Sequence, residues 1–364
     1  MNTGPSKSEF QEIAHCGGKI QVAFDPSDHS VSMQWSGSGP QGASMFQLGV
    51  ALDGSDVQFW PITGVDSRPP PDPVPFVSVL LGSDIELMWG RSCPKCGVYF
   101  RTNQPSAIIR CPYCGHRDTN FAFSTKNQKV FIERVRQAWI RVIAERKDVV
   151  MDMDAVSASL PENRPDWAYT EERQQNRFKC AKCRTIYDIL GEYAGCPTCG
   201  KRNDLEVFER HMTGVEAKPP VAEGDREADS ELLSKTLSGF EGLGNDIRKQ
   251  LALLPALPKR KNEIAKLSFQ QIRAAQEKLR QWLGLDLFES LSPADITFLD
   301  LMVHRRHVFV HNSGRIDQKY LDATRDGTVR LNQVITVRSE EIRRLIRILR
   351  QCAKNLFAGY EAIT

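Results

Sequence analysis

No apolar run in the sequence approaches the length needed to span a bilayer. The opening residues lack a basic start followed by an apolar stretch, so no secretory signal is expected, and the location implied is cytoplasmic. Strong charge of one sign is also missing: the formal net charge is +3, which neither demands nor excludes nucleic acid. Neither His-x-Glu nor His-Glu-x-x-His occurs. Open metal sites of the deaminase or protease kind need such a general base beside the ion, so zinc catalysis is excluded.

A chain of 364 residues is too long for one ordinary core, and two or three domains are expected. Of its 10 cysteines, eight form four Cys-x-x-Cys pairs, which in a reducing compartment reads as zinc binding rather than a disulfide framework. Charge is unevenly placed. Residues 231–364 hold 22 Lys/Arg against 15 Asp/Glu, and residues 1–230 hold 26 against 30.

Short apolar and polar stretches alternate through residues 1–68, predicting strands at Lys19–Phe24, Val31–Trp35, Phe46–Leu52 and Val57–Trp60. His15 and Cys16 have no partner pair nearby and are given no chemistry. The run Pro69-Pro-Pro-Asp-Pro-Val-Pro75 is an extended spacer. Strands are then expected at Phe76–Leu81 and Ile85–Trp89. Next come Cys93-Pro-Lys-Cys96-Gly97 and Cys111-Pro-Tyr-Cys114-Gly115, and later Cys180-Ala-Lys-Cys183 and Cys196-Pro-Thr-Cys199-Gly200. Two knuckles supply four thiolates, which suits tetrahedral Zn²⁺ and leaves no open coordination position. Each set resembles a zinc ribbon, so two structural zinc ions are expected. The sets also resemble an internal repeat: Gly115-His116-Arg117-Asp118 is matched by Gly200-Lys201-Arg202-Asn203, and Phe123 by Phe208. An amphipathic helix from Thr125 to about Arg146 lies between them, its basic residues read as a solvated face.

Beyond a linker, helices are predicted from Ser230 to about Phe240 and around Asp246–Leu254. Another is expected from a capping box at Ser268-Phe-Gln-Gln271 to Leu283. Val329–Val337 alternates like a strand, and a last helix starts at Ser339. Pro293 to His311 reads as one helix with Ser292 as N-cap and Gly314 as its stop. Apolar residues cover most of its circumference, so it is expected to be buried. Yet Asp300, His304, His307 and His311 recur on one strip, with Arg305 and Arg306 beside it. Buried ionisable groups require partners, and that conflict marks the helix as functional.

Arg306-His307-x-x-x-His311, followed by Asn312-x-Gly314 and Asp317-x-x-Tyr320-Leu321, resembles the Arg-polar-x(3)-His signature of the HEPN superfamily over roughly residues 267–357. That resemblance implies an all-helical domain, a homodimer and a metal-independent ribonuclease whose site forms between two protomers. RNA cleavage would leave 2′,3′-cyclic phosphate and 5′-hydroxyl ends. His311 would do acid/base work, Arg306 would stabilise phosphate charge, and His307 would orient Arg306 or the phosphate. Arg305, Asn312 and His304 are candidate substrate contacts. On a straight helix Arg306 and His311 point about 140° apart, a further reason to expect a second protomer. The implied fold is multidomain α+β. It comprises a small β-rich N-terminal region with a Pro-rich spacer (1–75), a duplicated zinc-ribbon region with its intervening helix (76–213), a linker (214–229) and an all-α HEPN-like bundle (230–364).

Two other readings stand beside this one. In a non-catalytic module the HEPN-like helices would dimerise and the ribbons would hold nucleic acid or protein; a protein partner or inhibitor is expected beside RNA in the nuclease reading. Alternatively, a metal could bind Asp300, His304, His307 and His311, although Arg305 and Arg306 would repel it. The family name also carries associations with toxin and defence systems.

Overall fold

A computed structural model describes residues 10–14, 18–36, 44–60, 75–218 and 225–364. His15, Cys16 and the spacer from Pro69 to Val74 lie outside the described residues. The architecture is mixed α+β, in two compact units, Met1–Arg202 and Asn203–Thr364.

In the first unit, β1 (Glu12–Ala14) leads to β2 (Lys19–Phe24) and β3 (Val31–Ser36), then β4 (Met45–Ala51), β5 (Val57–Trp60) and β6 (Phe76–Gly82). The four strands expected before the spacer form at nearly their predicted bounds. β4 lies between β5 and β6, and its alternate residues Phe46, Leu48 and Val50 are buried with Val77, Val79 and Leu81 of β6, as a period of two requires. Strands on either side of the spacer therefore share one sheet, and residues before and after position 75 form one unit. Next come β7 (Trp89–Ser92), β8 (Tyr99–Thr102), β9 (Ile108–Arg110) and β10 (Arg117–Thr119). β7 begins where the second post-spacer strand was expected to end. Asp84 Oδ1 accepts from the N–H groups of Glu86 and Met88 at 2.8 and 2.9 Å, closing a turn over 84–88.

α1 (Lys126–Glu145) starts with a reciprocal cap. The Thr125 N–H donates to Gln128 Oε1 at 3.0 Å, and the Gln128 N–H donates to Thr125 Oγ1 at 3.2 Å. Its face Phe131, Ile132 and Val135 packs on the β4–β6 sheet. β11 (Val149–Asp152) returns to pair with β2, and α2 (Met153–Ala158), β12 (Thr170–Glu172), β13 (Asn176–Lys179) and β14 (Ile186–Ile189) complete the unit.

The second unit is helical: α3 (Asp204–Glu216), α4 (Arg226–Leu251), α5 (Pro258–Ala265), α6 (Ile272–Leu283), α7 (Pro293–Asn312), α8 (Gln318–Thr324) and α9 (Ser339–Ile363). One apolar cluster runs through it, including Phe240, Phe269, Leu299, Met302, Leu345 and Leu356. Phe208, matched by the repeat to Phe123, belongs to this helical core, so the repeat ends before it. Helix α3 extends two residues past the expected linker start at 214, and α4 is one helix where two were expected. Gly239 and Gly244 give α4 the missing-side-chain faces on which His211 and Phe269 lie, so there they mark close packing rather than a break. α6 starts at Ile272, not at Ser268, whose hydroxyl accepts from the Gln270 N–H instead. Val329–Val337 forms no strand. It is strapped to the exit of α7, with the Ile335 N–H donating to Gly314 O at 3.0 Å and the Ile316 N–H to Gln333 O at 2.9 Å.

Candidate functional site

Each Cys-x-x-Cys folds into the same knuckle. The amide four residues after the first cysteine donates to that cysteine's carbonyl, at Gly97, Gly115, Arg184 and Gly200. These four residues have φ of +73°, +70°, +68° and +78°. Glycine takes that conformation freely, and Arg184 does not. The sulfurs then converge. Cys93 and Cys114 are 3.7 Å apart, Cys96 and Cys111 3.7 Å, Cys180 and Cys199 3.6 Å, and Cys183 and Cys196 3.5 Å. A tetrahedral ion with Zn–S bonds of about 2.3 Å has sulfur–sulfur edges of about 3.8 Å, whereas a disulfide would need about 2.05 Å. Within each set of four, all ligand atoms lie within 4.8 Å of one another. The donor sets fit two closed zinc-type sites, as the sequence indicated. Burial opposes ionisation of Cys183, but hydrogen bonds from Thr185 and the neighbouring thiols outweigh it and bring its thiol down to about 6.

The ribbons are joined more closely than their sequence separation suggests. β13, β14, β8 and β7 form one four-stranded antiparallel sheet, with β14 and β8 at its centre. The junction register pairs Asp188 with Arg101. Each is the eighth residue after its ribbon's first cysteine, so a pseudo-twofold axis runs between them. The second knuckles repeat this symmetry: the Arg110 N–H donates to Pro197 O and the Gly195 N–H to Pro112 O, both at 2.9 Å. Arg101 is wholly buried. Its Nε donates to Asp188 Oδ2 at 2.8 Å, its Nη1 to Asp84 Oδ2 at 2.6 Å and its Nη2 to Glu86 Oε2 at 3.0 Å. Burial opposes its charge, but the three carboxylates hold Arg101 firmly protonated. A second buried set lies in this unit. Burial raises Glu171 to about 7 while Tyr99 and Gln128 donate to it, and burial lowers Arg91 to about 10. The Arg91 guanidinium nitrogens have no hydrogen-bond partner among the described residues.

In the helical unit, Ser292 Oγ accepts from the Asp295 N–H at 3.1 Å and caps α7, with Pro293 in the first turn. The helix is buried on one side only, not over most of its circumference as expected. Leu299, Met302, Arg305, Val308 and Phe309 face the core, but His307 and His311 are exposed and Val310 is 57% exposed. Its apolar residues outnumber the neighbours available to cover them, leaving the His307–Val310–His311 side open.

The motif residues divide accordingly. Arg305, a candidate substrate contact, is buried and committed. Its Nη1 donates to Glu341 Oε1 at 2.8 Å, its Nη2 to Asp326 Oδ2 at 3.3 Å and its Nε to the Tyr320 hydroxyl at 3.5 Å. Its place three residues after Met302 and four before Phe309 already put it on the inward face. The Asn312 amide donates to Arg315 O at 2.5 Å and closes the helix end. Arg306 is half-buried and ion-paired with Glu241 of α4. His304 is half-buried, and Asp300 is held by Arg273, whose Nε donates to it at 2.8 Å. Asp300 is thus drawn away from any metal site with the histidines. Among the described residues, only the two cysteine sets bring three or more potential ligands together.

The rings of His307 and His311 lie 4.4 Å apart between centroids, tilted by 49°. Desolvation, then His311, Lys319 and His304, lower the basicity of His307 and favour its neutral form. Both rings line a cleft of about 400 Å³ with Arg306 and Lys319. Lys319 and Glu241 escaped the sequence reading because α8 and α4 supply them from outside the motif helix.

The fold and sites define an α+β protein with two four-cysteine metal sites and a helical unit carrying an exposed histidine pair. The chain matches no protein-family model, no curated protein and no solved structure. Among the described residues, no helix is long and apolar enough to cross a membrane.

Proposed function

We propose that the helical unit is a metal-independent endoribonuclease of HEPN type, acting at the C-terminal half of α7, with the zinc-type sites serving to fold the first unit. The observation that carries this reading is the close, exposed pairing of His307 and His311 in one cleft with Arg306 and Lys319. An imidazole can take the proton from a 2′-hydroxyl as its oxygen attacks the adjacent phosphorus. The P–O5′ bond breaks as an imidazolium returns a proton to the 5′-oxygen, leaving a 2′,3′-cyclic phosphate and a 5′-hydroxyl. His311 is assigned the acid/base role, with His307 held neutral beside it. Arg306 gives one side of its guanidinium to Glu241 and has other N–H donors for phosphate charge. The open Val310 face between the histidines suits a second copy of the chain, which would complete a composite site.

Total RNA incubated with purified protein and brief EDTA, with ends mapped, tests this. Cyclic phosphate and 5′-hydroxyl ends are expected. One observation favours a second reading, a binding module: Glu241 already neutralises Arg306. RNA retained but never cut would decide for that module.

A further inference from the structure

The histidine cleft does not end at His304. Gln271, Val303 and His304 also line a second cavity of about 910 Å³, between α6, α7 and the loop after α8. It belongs wholly to the helical unit, and its size falls within the range of small-molecule sites. Ile272, Phe298 and Leu301 give it apolar walls, while Arg273 and Asp300 set a guanidinium–carboxylate pair along one side. Such a pair offers donors and acceptors side by side in the plane that a base edge presents, and an aromatic ring beside it suits a flat heterocycle. Phosphate alone would gain nothing from the apolar walls, and the Arg273 guanidinium is already shared with Asp300. From His304 to His311 the axial rise is about 10 Å, a span that one nucleotide with its flanking phosphate can cover.

We propose that this cavity binds the nucleobase and ribose of the RNA nucleotide next to the phosphate held at His307 and His311. The inference rests on the nuclease reading for its substrate and makes the cavity the source of base preference. Asp300 would accept from exocyclic amino groups and Arg273 would donate to ring acceptors, so Asp300→Asn should alter which base is preferred.

Binding of the four nucleoside 3′-monophosphates and of inorganic phosphate to the full chain, by titration calorimetry, tests it. At least one nucleotide should bind tenfold or more tightly than phosphate. Thr297→Trp, at an exposed rim position of α7, should erase that difference and leave phosphate binding unchanged; Ala274→Trp, from the α6 side, should do the same. Equal binding of nucleotides and phosphate would overturn the proposal, as would a preference that survives both tryptophans in folded protein. If RNA is never cut but the preference exists and both tryptophans erase it, the nucleotide site stands and the nuclease reading alone falls.

Discussion

The two units hold themselves together in opposite ways. In the helical unit, one apolar cluster carries the fold, and its ionisable groups mostly lie toward the surface. The first unit has smaller apolar clusters and buries Arg91, Arg101, Asp84, Glu171 and Asp188. Losing one core side chain costs about 2–5 kcal/mol but leaves the remaining contacts in place, whereas a buried charge or metal site that loses one member strands its partners as well. The first unit is therefore expected to be brittle, and the second free to carry chemistry on an exposed helix face.

Removing metal should separate the units most sharply. Structural zinc supplies on the order of 10–16 kcal/mol per site in small domains. Purified protein should contain two equivalents. Cys196→Ser should unfold both ribbons together, because β14 pairs with β8 across the repeat, while residues 203–364 keep amide exchange protection. Loss of protection confined to the second ribbon would mean the shared sheet is unimportant. Arg101→Met should come next, destabilising the first unit by about 3–5 kcal/mol in urea because it strands Asp84 and Asp188 without their cation. A change below about 1 kcal/mol would show that those acids find other partners.

Glu171 adds a pH dependence to the first unit alone. Its folded value, about 7, lies above its ordinary 4.5, so the folded state holds the proton more tightly. Stability is then full below about pH 4.5 and falls as pH rises through 7, by at most about 3 kcal/mol. The urea midpoint should drop between pH 5.5 and 8, and Glu171→Gln should flatten that drop. A smaller effect of opposite sign is expected at Arg184. Glycine there removes a left-handed strain and should raise stability by about 1 kcal/mol or less, seen as a higher melting temperature.

The same contrast explains what the sequence made legible. Cysteine spacing announces the metal sites because both ligands of a pair share one tight turn. Ser292-Pro293 announces α7 because capping is local. By contrast, Arg101 and Asp188 are 87 residues apart, and neither the shared sheet nor their meeting has a local signature. Amphipathic counting also misjudged α7. It gave the helix apolar residues nearly all round but could not say that no neighbour covers Val310, nor that Arg305 turns inward to Glu341.

On the proposed nuclease reading, His311 performs proton transfer in RNA cleavage without a catalytic metal. The most direct measurement of this is the single-turnover cleavage rate of one defined RNA by wild type and His311→Ala in EDTA, with RNA binding measured alongside. Loss of about 10²–10⁴ in rate with binding retained is the expected result. A folded His311→Ala protein that cuts at the wild-type rate would contradict it.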